Sequence, residues 1–370
     1  LSIVDTFLEI VQIDSLSLEE DKIAEYVVEY LNRLGFKVEV DQAGASIGGS
    51  SGNIIARLSS EIPSPTILFN AHLDTVGPGK GVKPQIDNGI IRSDGTTVLG
   101  SDNKAGVAVI LEAARLIIEN NLSHGPIEIV FTVAEEIGLL GSKNLQFDQL
   151  TADLAFVLDA EDDAGGIVVK APSQNSINIV FTGQSAHAGV NPERGINSIQ
   201  AAAKSISFMK LGRIDYETTV NMGVIKGGLA ANIVPPETKL EGEVRSHSKD
   251  KLIEQTDEIV RCVEKGAAEI GATVDINIST AFEAFLLSED DEIVQIAISA
   301  IKAAELEPKL QASGGGSDAN VINQSGIPAV NLSVGEDHVH STNEAISIEN
   351  LENGVKILLN IVSEAIKRKK

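Results

Sequence analysis

The sequence predicts an α/β fold interrupted by an inserted α+β unit. Helix-like and strand-like segments alternate through the first half, and the strand-like runs are apolar throughout, as in strands buried on both faces. Near Pro172 the pattern changes to period-two alternation, the mark of a sheet with one solvated face. After Leu287 the helix and buried-strand pattern resumes. A chain of 370 residues with 43% hydrophobic content suits about two domains with sizeable cores.

In order, residues 22–34 read as a helix, with Ile23, Val27, Tyr30 and Leu31 on one face and Gly35 as the stop. Residues 37–40 read as a strand. Residues 43–53, rich in Gly and Ser, read as a flexible hairpin loop; a phosphate loop would need a following Gly-Lys-Ser/Thr, which is absent. Residues 66–70 read as a short buried strand, 105–119 as a helix, and 127–133 and 154–158 as further apolar strands. The alternation predicts a sheet with helices on both faces. Ligands in such sheets gather at the carboxyl ends of strands, where His72, Glu135 and Asp159 fall.

In the middle part, Ile177/Ile179/Phe181, Val220/Met222/Val224, Leu240/Gly242/Val244 and Val274/Ile276/Ile278 each alternate. Helices at 196–209 and 249–270 interleave. The order β-α-β-β-α-β is that of a ferredoxin-like layer. Residues 1–173 and 287–370 are therefore expected to form one discontinuous unit, with 174–286 inserted into it.

The net charge of −24 argues against nucleic acid, whose phosphates need clustered Lys and Arg, and against an anionic membrane surface. Cys262 is the only cysteine, so an internal disulfide and a thiolate metal site are excluded. Its helical spacing with Ile259, Val263 and Ala267 reads as core packing. Residues 1–16 carry Asp5, Glu9 and Asp14, unlike a signal peptide, and no apolar run approaches the roughly 20 residues of a membrane span. A cytoplasmic location is the expectation. The chain begins at Leu rather than Met, so a residue or two is expected to precede it.

Chemistry concentrates at the strand ends. The sequence carries Asn70-Ala71-His72-Leu73-Asp74, then Gly100-Ser101-Asp102-Asn103-Lys104, Glu135-Glu136-Ile137-Gly138, Leu158-Asp159-Ala160, and Val339-His340-Ser341-Thr342-Asn343-Glu344. His72 and Asp74, two apart, can point the same way, so one imidazole can bind metal while the carboxylate fixes its other ring nitrogen. Alone, His-x-Asp is more often structural. Asp102 alone reads as a helix N-cap. Adjacent carboxylates at 135 and 136 diverge in extended chain, so one can ligate while the other stays free as a base; a solvated charge pair is the alternative. Asp159 ends an apolar strand beside the acidic run Glu161, Asp162 and Asp163, itself read as solvated loop.

As an ordered set these residues supply two imidazoles and several carboxylates, which suits two divalent metals. Three carboxylates and one hydroxide would balance two Zn²⁺ ions, with Mn²⁺ or Co²⁺ also compatible. Paired metals about 3.5–4 Å apart acidify a bridging water and polarise a carbonyl.

The set resembles the di-zinc family of peptidase T, aminoacylase, carboxypeptidase G and succinyl-diaminopimelate desuccinylase, over nearly the whole chain. The resemblance implies a di-zinc exopeptidase-type mixed sheet flanked by helices, with the insertion as a lid and dimerisation domain. It implies that Asp102 bridges the metals, that His72 and Asp159 complete one and Glu136 and His340 the other, that Glu135 is the general base acting with a metal-bridging hydroxide, and that Asp74 orients His72. It implies a cis peptide at Asp102-Asn103. His338 competes with His340, and His-x-x-Asn-Glu favours His340. Gly183 to Gly189 resembles the lid segment whose histidine, here His187, reaches a substrate carbonyl, often across a dimer interface; a structural histidine is the alternative. Asn232 and Arg245 resemble the family's substrate-holding residues, and Gly315 and Ser317 fall in a glycine turn whose backbone approaches substrate. A plain loop is the alternative for that turn, and an exposed strand residue for Arg245. His124 and His247 match nothing.

The expectation is a cytoplasmic metallo-aminopeptidase of the peptidase T type, acting on short peptides as a homodimer. Asp rather than Glu at 159 tilts toward that type. An N-acyl-amino-acid amidohydrolase, or a carboxypeptidase or dipeptidase, using the same site is the alternative. A dead binding protein would have lost a ligand or the base, and every expected position is filled.

Overall fold

The computed structural model describes residues 2–368. Leu1, Lys369 and Lys370, at the ends of the stretches expected at 1–173 and 287–370, lie outside the described residues. The chain divides into two compact units: Leu1–Val169, Leu286–Ala312 and Ser317–Lys370 form the first, and Lys170–Phe285 with Ser313–Gly316 the second.

The first unit begins with α1 (Ile3–Val11), closed at its N-terminus by a Ser2/Asp5 capping box. α2 (Asp21–Arg33), β1 (Lys37–Val40), α3 (Ala43–Ile47) and β2 (Ile54–Leu58) follow. Next come β3 (Ile67–His72), β4 (Gln85–Asp87), β5 (Ile90–Arg92), α4 (Ser101–Glu119), β6 (Ile127–Thr132), α5 (Leu140–Lys143), β7 (Leu154–Glu161) and β8 (Gly166–Ala171). α3 corrects the expected flexible loop at 43–53. Asp41 organises that stretch: its Oδ1 accepts from the Ala43 and Asn53 amides and its Oδ2 from Asn53 Nδ2. Gly44 allows the close return, since a Cβ there would lie 2.1 Å from the Ser51 carbonyl oxygen.

In the second unit, β9 (Ser173–Thr182), α6 (Ser198–Phe208), β10 (Gly212–Arg213), β11 (Thr218–Gly227), β12 (Glu237–Ser246), α7 (Lys249–Ile270) and β13 (Thr273–Phe282) form an antiparallel sheet in the order β10-β11-β12-β9-β13. Without the short β10 this is the ferredoxin-like order. Ile177, Ile179, Phe181, Val220, Leu240 and Val244 pack against Ala201 and Ala202 of α6 and Leu252, Ile259 and Val263 of α7. Two of the alternating residues are exposed: Val224, where a β-bulge between Met222 and Val224 shifts the register, and Ile278 on the edge strand β13. Cys262 is buried, as its spacing suggested.

The chain then forms β14 (Phe285–Leu286), α8 (Glu292–Ala303), β15 (Lys309–Ala312), α9 (Asp318–Gln324), β16 (Ala329–Asp337), β17 (Ala345–Ser347) and α10 (Ile348–Ala365). The main sheet of the first unit runs β1-β2-β6-β3-β7-β16-β17-β5-β4. Its centre, β6-β3-β7-β16, is parallel, and the flanking pairs are antiparallel. The central strands are apolar because both faces are covered. α4 is buried almost all round, which explains its weak amphipathicity. Among the described residues no helix is long and apolar enough to cross a membrane.

In the second unit, α7 approaches α6 through Gly266, where a Cβ would lie 2.5 Å from the Ser205 backbone nitrogen. Gly266→Ala is expected to destabilise the protein by about 1–3 kcal/mol through overpacking. Chemical denaturation would test this, and an unchanged midpoint would contradict the packing argument.

Candidate metal centre

The parallel centre of the sheet brings several strand ends to one edge. β3 ends at His72, β6 leads into Glu135 and Glu136, β7 carries Asp159, and the turn after β16 carries His340. Asp102 lies at the start of α4 with non-helical backbone, and the peptide it shares with Asn103 is cis.

The two oxygens of Asp102 face different partners. Oδ1 is 3.0 Å from His72 Nε2, which is also 3.4 Å from Asp159 Oδ1. Oδ2 is 3.1 Å from His340 Nε2, which is 2.9 Å from Glu136 Oε2. Two groups of ligand-type atoms result, His72/Asp102/Asp159 and Asp102/Glu136/His340, each within 4.8 Å. His338, the competitor, is exposed and lies 3.7 Å from Asp337.

The donor set fits cations. Burial works against charge on His72, yet hydrogen bonds to Asp102, Asp159 and Asp74 hold its pKa well above the usual range. Contacts with Asp102 and Glu136 raise His340 to about 10. Burial, with the nearby Asp102 and Asp318 charges, raises Asp159 to about 7 despite its bond to His72. Burial and Asp159 push Glu135 well above the carboxylate range, and burial raises Glu136. Imidazole nitrogens and carboxylate oxygens in two groups sharing one carboxylate suit a pair of divalent ions.

Asp74 does more than the His-x-Asp spacing suggested. The nearer acceptor for His72 Nδ1 is the Asp74 backbone oxygen at 2.9 Å, against 3.5 Å for its carboxylate. The carboxylate accepts instead from the Glu135 and Glu136 amides at 2.9 and 3.2 Å and from Ser17 Oγ at 2.6 Å. Burial opposes its ionisation, but the bonds from His72, Ser17 and the Glu135 amide keep its pKa low.

Other residues here escaped the sequence reading. Glu344 accepts from the Gly100 amide, Ser101 Oγ and the Asp102 amide at 2.7, 2.7 and 2.9 Å, tying the His340 turn to the Asp102 turn. It stood in the His-x-x-Asn-Glu pattern without a role. Asn103 Nδ2 donates to Asp159 Oδ1 at 3.1 Å. Asp318 is buried, accepts from Thr132 Oγ1, and keeps an unpartnered Oδ1. Buried Lys104 donates to the Ile13 carbonyl at 2.6 Å. The sequence signals for Asp318 and Lys104 are those of ordinary first-turn helix residues.

The residues expected to touch substrate separate into three places. In the second unit, His187 and Asn232 lie on adjoining exposed segments, joined by the bond from the Ala188 amide to the Asn232 carbonyl at 3.0 Å. Elsewhere in that unit, Arg245 donates to both carboxylate oxygens of Glu243, at 2.9 and 3.1 Å, and Gly314 and Gly315 lie beside it. Ser317, in the first unit, is buried at the N-terminus of α9; its Oγ accepts from Asn331 Nδ2 at 3.2 Å. His124 and His247 bond to the Gly125 and Ser313 carbonyls respectively.

A carboxylate–imidazole cluster at the ends of parallel strands, beside a paired-acid turn, defines a class: mixed-sheet α/β proteins built for hydrolysis at a strand-end centre. The comparisons narrow the class to a family. The Peptidase family M20/M25/M40 matches residues 68–364, and the chain belongs to it. It is 41% identical to the uncharacterized protein YqjE of Bacillus subtilis, over 99% of this chain and 98% of that protein. The crystal structure of aminopeptidase PepT from Bacillus cereus superimposes with a TM-score of 0.88 at 41% identity, covering 98% of each chain. That of a tripeptidase from Staphylococcus aureus gives 0.93 at 38% identity, covering 99% of this chain and 98% of the other. The chain is thus a peptidase-family hydrolase.

The two imidazoles set a pH dependence. A ligating imidazole must be neutral, whereas His340, at about 10, is protonated at pH 7–8 in the ion-free protein, and the bonds of His72 shift it in the same direction. Ion binding must displace such protons, so affinity should fall as pH falls. Titrating Zn²⁺ into metal-free protein in weak buffer at pH 7.5 should release at least about one proton per chain. No release would contradict ligation through these histidines.

Proposed function

We propose that this chain is a two-metal aminopeptidase that removes the N-terminal residue from short peptides, tripeptides foremost. The observation that carries the reading is Asp102, with one oxygen toward His72 and Asp159 and the other toward Glu136 and His340. The two structural relatives, an aminopeptidase and a tripeptidase, support the substrate class. The donor set supports Zn²⁺, with Mn²⁺ or Co²⁺ as alternatives.

His72, Asp102 and Asp159 would hold one ion, and Asp102, Glu136 and His340 the other. When bound, such ions acidify a water and polarise the scissile carbonyl. Glu135 sits beside the cluster, and no side-chain hydrogen bond of it is seen. It takes the proton of the attacking water and passes it to the leaving amine. Its raised pKa, caused by burial and then by Asp159, suits a group that must both accept and return a proton. Asp74 fixes His72 through its carbonyl and the Glu135-Glu136 turn through its carboxylate. In this reading His187 and Asn232 contact the substrate carbonyl region, Arg245 anchors a carboxylate, and Gly315 and Ser317 line the glycine turn.

The second reading, an N-acyl-amino-acid amidohydrolase, uses the same cluster. Free and N-acetylated tripeptides separate the two: the free peptide should turn over, and turnover of the acetylated peptide alone would replace the peptidase reading. Glu135→Ala should keep its metal and lose about 10²–10⁴-fold in kcat; undiminished turnover would remove Glu135 from the base role. A homodimer through the second unit belongs to the same proposal, supported by its sheet ending in the edge strand β13. Sedimentation at working concentration should give a dimer, and a monomer would count against it.

A further inference from the structure

Glu20 is a buried carboxyl that the mechanism above leaves without a task. It stands at the N-cap position of α2, yet its side chain makes no cap bond and is 0% exposed. Its Oε1 accepts instead from the Leu18 amide at 2.8 Å and, 114 residues away, from the Ala134 amide at 3.0 Å. Its Oε2 has no partner. Burying a carboxyl with a bare oxygen is costly, so the bond it makes to Ala134 calls for a reason.

Ala134 immediately precedes Glu135 and has φ +51, in the left-handed region that residues with a Cβ avoid. The surroundings must hold it there. Its amide ends on Glu20, and the next two amides end on Asp74. Three consecutive N–H groups are therefore gripped by two buried carboxyls. Ser17 and Glu20 bring the same N-terminal turn to both halves of the grip, since Ser17 Oγ donates to Asp74.

We propose that Glu20 is a positioning residue for Glu135. By fixing the Ala134 amide it sets the direction in which the Glu135 side chain leaves the backbone. Displacing a reacting group by about 1 Å can cost on the order of 10²-fold in rate, and a released left-handed residue next to Glu135 permits such a displacement. The inference rests on the reading of Glu135 as the base.

The test compares Glu20→Ala, Glu20→Gln and Glu20→Asp with Glu135→Ala in the metal-loaded enzyme. Glu20→Ala should lower kcat about 10- to 100-fold, with KM and bound metal unchanged. It should also speed amide hydrogen exchange in the peptide spanning residues 134–136. Glu20→Gln, which keeps an acceptor oxygen, should recover most of kcat, and Glu20→Asp, which withdraws the oxygen but keeps the charge, should not. A lower melting temperature with unchanged kcat would make Glu20 merely structural and overturn the proposal, as would loss of metal in Glu20→Gln. If Glu20→Ala does not fold, the Gln and Asp variants carry the test. Full activity in Glu135→Ala would instead sink the base reading, whereas an inactive Glu135→Ala beside a fully active Glu20→Asp would sink this inference alone.

Discussion

Carboxyl groups crowd around His72 in a space with few positive charges to balance them. Burial raises Glu135, Glu136, Asp159, Asp318, Glu336 and Glu344 above their ordinary values, and the charges of neighbouring acids add to the effect in all of these but Asp318. Burial leaves little water to relieve that repulsion at His72, although His340 is half exposed. Bound cations relieve it, and the division of Asp102 between two imidazoles shows where they would fit. The parallel centre of the sheet creates the crowding, because it delivers several strand ends to one edge.

Two carboxylates hold backbone in that crowd. Asp74 holds the Glu135-Glu136 turn and Glu344 holds the Gly100–Asp102 turn. Hydrogen bonds from amides to a charged acceptor are stronger than neutral ones, and in a dry site they fix the peptide planes from which the functional side chains depart. Glu344 also joins the two stretches of the first unit that the insertion separates in sequence. The turn that carries His340 has to return across 242 positions to close on Asp102, and the second unit is inserted between them.

The fold and the cluster were legible in the sequence to different depths. Apolar strand runs and helical periodicity located β3, β6, β7 and α2, because burial on both faces or along one stripe writes itself into residue type. The ordered acids and imidazoles stood out because each ends an apolar run, where a polar side chain needs an explanation. The failures have local causes. A single aspartate folds residues 41–53 into a turn containing α3, and no composition rule marks that. The bulge after Met222 needs cross-strand register, which one strand does not encode. Glu20, Asp318 and Glu344 were unreadable for a common reason: an acid at a helix start or in a loop looks solvated until a distant partner appears.

Every residue of the candidate metal centre lies in the first unit. The cluster can therefore assemble from one unit's own sheet. In the second unit, Arg245 already spends its Nε and Nη2 on Glu243, leaving Nη1 beside the Gly314 carbonyl at 3.4 Å. A guanidinium so paired is held in one orientation by its bonds. Family membership accordingly speaks for the hydrolytic chemistry, whereas a fold does not by itself name a substrate.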